Sequence, residues 1–206
     1  GGLVEQAIKK IQEISNKQGM SGVATGFNRL DELTSGWQPS DLIILAARPG
    51  MGKTAFVMSM AKNMAIDFDT PVAIFSLEMS SVQLITRMIS SETGISSGKL
   101  RKGNLERHEW EQLNVKVKNL SKAPIFIDDT PSLSIFDLRA KARRLASQHG
   151  IKAIVIDYLQ LMTAGSAQKG GGNREQEISM ISRNLKALAK ELDIPVIALS
   201  QLSRAV

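Results

Sequence analysis

The stretch Leu42-Ile-Ile-Leu-Ala46 followed by Ala47-Arg48-Pro49-Gly50-Met51-Gly52-Lys53-Thr54 constrains the fold of this 206-residue chain more than any other segment. An apolar run leads into a glycine-rich turn, and a helical pattern opens near Thr54. Strand, turn and helix N-terminus in that order form a phosphate cradle, because backbone N–H groups and the helix dipole aim positive partial charge at one spot. Lys53 adds a full charge for β- and γ-phosphates, and the Thr54 hydroxyl can ligate Mg²⁺. The usual pattern is G-x-x-x-x-G-K-[ST], and Ala47 stands where its first glycine would be. Gly50 and Gly52 still let the backbone approach an anion closely. Residues Ala47, Arg48, Pro49, Gly50, Met51, Gly52, Lys53, Thr54 and Ala55 are therefore the expected nucleotide contacts.

Beyond this motif, apolar runs alternate with helical patterns. Strands are expected at 42–46, 72–76, 125–127, 154–156 and 196–200, with helices at 54–66, 81–91, 135–148 and 176–192. Continuous Val/Ile/Leu runs imply strands buried on both faces of a mostly parallel, twisted sheet, with helices on both sides. The fold class is α/β, doubly wound. Residues 3–14 carry Val4, Ala7, Ile8, Ile11 and Ile14 at helical spacing, and residues 16–22 have linker composition. That leading helix packs either on its own domain or, through the linker, on a neighbouring subunit. The glycine-rich piece 164–173 is a loop directly after the fourth strand.

In such a sheet, ligands sit outside the carboxyl ends of the strands. Ile154-Val-Ile-Asp157 is an apolar strand ending in a carboxylate, which suits Mg²⁺ bridging the phosphates. Ile125-Phe-Ile-Asp128-Asp129 has the same shape, so the residues alone leave two candidates, the other of which caps the next turn. Glu78, after Val72-Ala-Ile-Phe-Ser-Leu, can polarise a water at a γ-phosphate, or can simply meet the dipole of the helix that follows. Gln201 ends the fifth strand, and an amide that both donates and accepts can sense a γ-phosphate. Arg139, Lys141, Arg143 and Arg144 share a helical stretch with Leu138, Ala142 and Leu145 and read as a solvated face. His108 and His149 lack metal-ligand spacing and read as surface residues.

The absence of cysteine excludes disulfides and thiolate chemistry and fits a cytoplasmic protein, and no apolar run approaches membrane-spanning length. A formal charge of +6 favours acidic partners such as nucleotides or nucleic acid. Aromatic content of 4% argues against binding single strands by stacking, so any nucleic-acid contact is expected at the phosphate backbone.

Together, Thr25-Gly-Phe27, Leu30-Asp31, Ser40-Asp-Leu-Ile-Ile-Leu-Ala-Ala-Arg-Pro49, Gly52-Lys-Thr54, Ser76-Leu-Glu-Met79, Asp157-Tyr-Leu-Gln-Leu161 and Ser200-Gln-Leu-Ser-Arg204 resemble the bacterial replicative DNA helicases of the DnaB type, specifically their RecA-like C-terminal motor domain. The resemblance runs from about residue 22 to the last, leaving 1–21 as linker helix and linker and 22–206 as a RecA-like P-loop ATPase domain. It implies ATP and Mg²⁺ as cofactors, Asp157 as the Walker B aspartate beside Thr54, Glu78 and Lys53 as catalytic residues, and Gln201 as the link from γ-phosphate to the DNA-binding loops. It also implies a cytoplasmic homohexamer, without membrane contact, that encircles single-stranded DNA and unwinds duplex at the replication fork. Lys169, Gly170, Asn173 and Arg174 become the expected DNA contacts, and the leading helix is expected on the adjacent motor domain. Primase and a helicase loader are the family's partners in the primosome.

The same resemblance sets expectations about what the chain does not carry. The family continues with a second DNA-contacting loop, further strands and an arginine finger, and it has a helical primase-binding domain before the linker. The 206 residues are thus expected to hydrolyse ATP poorly alone, since a finger supplied in trans is worth about 10³–10⁵ in rate. Two other functions share the phosphate cradle: a RecA-like ATPase of recombination or repair, and a nucleotide-gated assembly module that does not hydrolyse.

Overall fold

The computed structural model describes residues 2–165 and 173–202. Five strands form one wholly parallel sheet: β1 (Leu42–Ala47), β2 (Val72–Ser76), β3 (Ile125–Asp128), β4 (Ala153–Asp157) and β5 (Val196–Gln201), in the order β1-β5-β4-β2-β3. All five expected strands are present, each within one residue of its expected ends. The central strands β2 and β4 are buried at every position. Their side chains alternate between two cores, as the two-residue period of a strand demands. Ala73, Phe75, Ile154, Ile156, Val196 and Ala198 pack under α7 (Ile135–His149) and α8 (Arg174–Leu192). Val72, Ile74, Val155, Ile197 and Leu199 pack under α3 (Lys53–Lys62), α4 (Ser81–Thr93) and α6 (Arg107–Lys122). β1 departs from burial on both faces: it lies at an edge of the described sheet and leaves Ile44 46% exposed.

Three helices fall outside the sequence expectations: α2 (Asn28–Thr34), α5 (Ser97–Lys102) and α6. α2 and α5 are too short to show a helical period, and α6 buries only Leu120, so its apolar stripe is thin. The helix after the glycine turn ends in a π-helical turn at Asn63–Asp67. The basic stretch of α7 is also not a free solvated face. Arg143 grips Glu191 of α8 with two hydrogen bonds of 2.7 and 3.0 Å, Arg139 donates to Asn184 at 3.0 Å, and Lys141 meets Asp128 at 2.6 Å. Their partners lie far away in sequence, which is why helical spacing alone concealed them. His149 is exposed and stacks on Phe126 with ring centroids 4.3 Å apart.

The segment before the sheet is held by one buried carboxylate. Asp31 accepts from Thr25 N at 2.9 Å, Thr25 Oγ1 at 2.7 Å and Gly26 N at 3.1 Å. Phe27 then stacks on Phe56 of α3 at 4.8 Å, and a Cβ on Gly26 would meet Asn63 at 2.4 Å. Asp31→Ala would strand buried donors, each costing about 1–3 kcal/mol. We expect a loss of about 2–3 kcal/mol, or about 5–10 °C in Tm. A melting curve that overlays the wild type would show that this knot is not stabilising. By contrast α1 (Gly2–Asn16) buries no residue, and Leu3, Val4, Ile8 and Ile11 are all exposed. No described helix is long and apolar enough to cross a membrane.

Candidate nucleotide site

The carboxyl ends of β1, β5, β4 and β2 lie side by side at one rim of the sheet. The turn leaving β1 takes positive φ at Gly50 (77°) and Gly52 (84°), a backbone region costly for side chains. Gly52 is the N-cap of α3 and supplies no side-chain cap, so the first N–H groups of α3 have no side-chain acceptor there. Lys53 Nζ donates to Ala47 O at 2.8 Å, which folds the ammonium back across the turn. Arg48, Met51 and Ala55 are exposed around it.

Thr54 Oγ1 donates to Asp157 Oδ2 at 3.1 Å, joining residues 103 positions apart. Asp157 is 2% exposed. Burial pushes its carboxyl above the ordinary aspartate range, and the nearby negative charge of Glu78 adds to the rise, against the Thr54 hydrogen bond and the charges of Lys53 and Arg87. A carboxylate whose charge is disfavoured in this way gains from a counter-cation. Two hard oxygens, a hydroxyl and one carboxylate, suit Mg²⁺ completed by phosphate oxygens and water. Among the described residues no cluster of three or more His, Cys, Asp or Glu forms a self-sufficient metal site. The residues therefore fit a cation that arrives with a polyphosphate.

Glu78 is brought to this spot by the turn after β2. Leu77 N donates to Asp157 O at 2.8 Å, and Ser76 Oγ donates to Met79 O at 2.7 Å. Glu78 itself is exposed, at the mouth of the site. The rival carboxylates have other partners. Asp128 holds Lys141 and accepts from Thr130 N at 3.0 Å. Burial opposes its charge, but Lys141 and Thr130 prevail and keep its carboxyl below the ordinary range. Asp129 accepts from Ser81 N at 2.7 Å at the start of α4.

Gln201 is paired in register with Ala47, so the end of β5 abuts the start of the glycine turn. Asn173 caps α8 by accepting from Glu175 N at 3.3 Å. Arg174 bonds Glu177 and the carbonyls of Gln160 and Met162. Lys169 and Gly170 lie outside the described residues. Two participants go unnoticed in the sequence. Arg87, on α4, acts electrostatically on Asp157, and its place could be found only by counting nine residues along the chain from Glu78. Gln160, just past Asp157, binds the backbone of Gln201.

Residues 22–206 match the family model described as DnaB-like helicase C terminal domain. The chain is 51% identical over 205 residues to the "Replicative DNA helicase DnaB" of Geobacillus stearothermophilus, covering 99% of this chain and 45% of that protein. It is 48% identical over 202 residues to the "Replicative DNA helicase DnaC" of Bacillus subtilis, covering 98% and 44%. It thus spans less than half the length of these curated relatives. Among solved structures it resembles an isolated ATPase domain, with a TM-score of 0.88 and 37% identity over 99% of this chain and 72% of that one. It also resembles "The Structure Of A DnaB-Like Replicative Helicase And Its Interactions With Primase", with a TM-score of 0.84, 37% identity, and coverage of 97% and 48%.

Proposed function

Because this chain belongs to the family of DnaB-like helicase C-terminal domains, we propose that it is the ATP-driven motor of a cytoplasmic, hexameric replicative helicase that moves on single-stranded DNA and opens duplex. The observation that carries this reading is the Thr54–Asp157 hydrogen bond at the sheet rim, with the glycine turn before it and Glu78 beside it. The polyphosphate lies against the N-terminus of α3, where backbone N–H groups receive it. Lys53 turns its ammonium from Ala47 O to the β- and γ-phosphates. Mg²⁺, held by Thr54 and by Asp157 directly or through water, supplies further neutralising charge. Glu78 orients a water and takes its proton as the new P–O bond forms and the bond to ADP breaks. Gln201 reads the γ-phosphate and passes its state to the DNA-facing side.

Hydrolysis of ATP by the full-length protein, with and without single-stranded DNA, tests this directly. Stimulation by DNA together with strand separation is expected. Nucleotide-dependent assembly without either would move the reading to a gated assembly module, and strand exchange on an open filament to a recombinase. Primase and a loader are the partners that the family implies.

The exposed stripe of α1 supports docking on an adjacent copy. A single 15-residue helix is marginal in water, so it needs a surface. The groove of ≈ 930 Å³ between α3, α4 and α5, lined by Met58, Met79, Val82, Met88 and Leu100, offers an apolar one. Ile8→Asp should therefore weaken the hexamer at least about tenfold without lowering the Tm of the monomer, since Ile8 is 51% exposed within one copy. Sedimentation of the full-length variant decides it, and an intact hexamer at wild-type concentration dependence would rule out this docking.

A further inference from the structure

The β4–β5 ladder makes its last pairing at Ile156 and Ala198. Beyond it, β5 continues to Gln201 while the chain after Asp157 turns into a short 3₁₀ helix, Leu159–Leu161. Gln160 fills the resulting gap with its side chain. Its Nε2 donates to Ser200 Oγ at 2.9 Å and to Gln201 O at 3.1 Å, and its Oε1 accepts from Gln201 N at 3.2 Å. One amide thus meets both backbone groups of Gln201, as a neighbouring strand would. Only a group that both donates and accepts can do this.

The backbone of the same turn is held from the other side. The guanidinium of Arg174 donates to Gln160 O and, at 3.2 Å, to Met162 O. Glu177 pairs with Arg174 and accepts from Ala164 N at 3.0 Å. Both belong to the first turn of α8. Leu159, Met162 and Ala164 are buried, so this piece of chain is anchored by packing as well as by polar contacts. A shift of the Gln201 strand end is therefore transmitted through Gln160 to Ala164 and to Arg174. These two residues flank the glycine-rich stretch.

We infer that Gln160 is a positioning residue that couples the nucleotide state at the end of β5 to the first turn of α8, and so to the affinity for single-stranded DNA. The inference rests on the motor reading above. Coupling between two sites is reciprocal, so it can be read from binding without turnover.

The test uses the full-length protein and a fluorescent oligothymidylate. The DNA dissociation constant is measured with a non-hydrolysable ATP analogue and with ADP, and the ratio of the two is the coupling factor. For the wild type a factor of about 5–150 is expected, the usual range for allosteric coupling. Gln160→Met keeps the volume but forms no amide pair, and Gln160→Glu keeps the shape but loses the donor to Gln201 O. Both should bring the factor to within about twofold of one, with affinity for a fluorescent ATP analogue changed less than about threefold. Retention of the wild-type factor in either folded variant would overturn the inference. So would loss of the fold in both, which would make Gln160 a structural tie only. A wild-type factor near one would instead fell the motor reading, and this inference with it.

Discussion

Glu78→Gln is expected to lower ATP turnover of the full-length protein by about 10²–10⁴-fold, the usual worth of a positioned general base. Nucleotide affinity should stay within about threefold, because an interaction made only in the transition state affects the chemical step and not ground-state binding. The substitution is nearly isosteric and falls on an exposed side chain, so the fold has no reason to suffer. It also removes a like charge from the neighbourhood of Asp157, one of the two influences that raise that carboxyl. Asp157 should then ionise more readily, which favours cation binding. Equilibrium binding of a fluorescent ATP analogue and single-turnover hydrolysis, measured side by side, separate these effects. Turnover within about tenfold of wild type would remove Glu78 from the base role and restore its alternative as a dipole-facing carboxylate.

The sheet was legible because its strands are continuous apolar runs, a pattern that buried parallel strands require and little else does. Helix α6 was not legible for the complementary reason: with Leu120 alone buried, its sequence resembles any polar segment. The carboxylates illustrate the limit more sharply. Asp157 and the Asp128–Asp129 pair end equivalent apolar strands, and nothing local distinguishes them. What differs is long-range: Thr54 reaches Asp157, whereas Lys141 reaches Asp128 and Ser81 reaches Asp129. The same holds for Arg139 and Arg143, whose partners Asn184 and Glu191 come from α8. The glycine turn was legible because its spacing, its two positive-φ positions and its lysine are all local. Contacts made across the sheet were not, and the tie between Gln160 and Gln201 is one of them.

Lys53→Ala should produce a different signature, a loss in both binding and chemistry. A hydrogen bond to a charged group contributes about 1.5–3 kcal/mol, so ATP affinity should fall about 10–150-fold. Charge on the γ-phosphate oxygens is redistributed during transfer, and removing one preorganised donor should take a further factor of about 10²–10³ from the chemical step. The nucleotide-free protein should barely notice, since the ammonium there donates to Ala47 O at 2.8 Å, a carbonyl at the open mouth of the turn. The Tm without nucleotide should match wild type, whereas the rise in Tm caused by ATP and Mg²⁺ should largely vanish, because ligand stabilisation follows affinity. Lys53→Arg sharpens the comparison. It keeps the charge but replaces a compact ammonium by a planar fork, which cannot enter a cradle shaped by Gly50 and Gly52 in the same way. It should therefore recover part of the binding and little of the rate. Full recovery of turnover by arginine would mean that only net charge matters at this position, and the geometric account of the glycine turn would have to be abandoned.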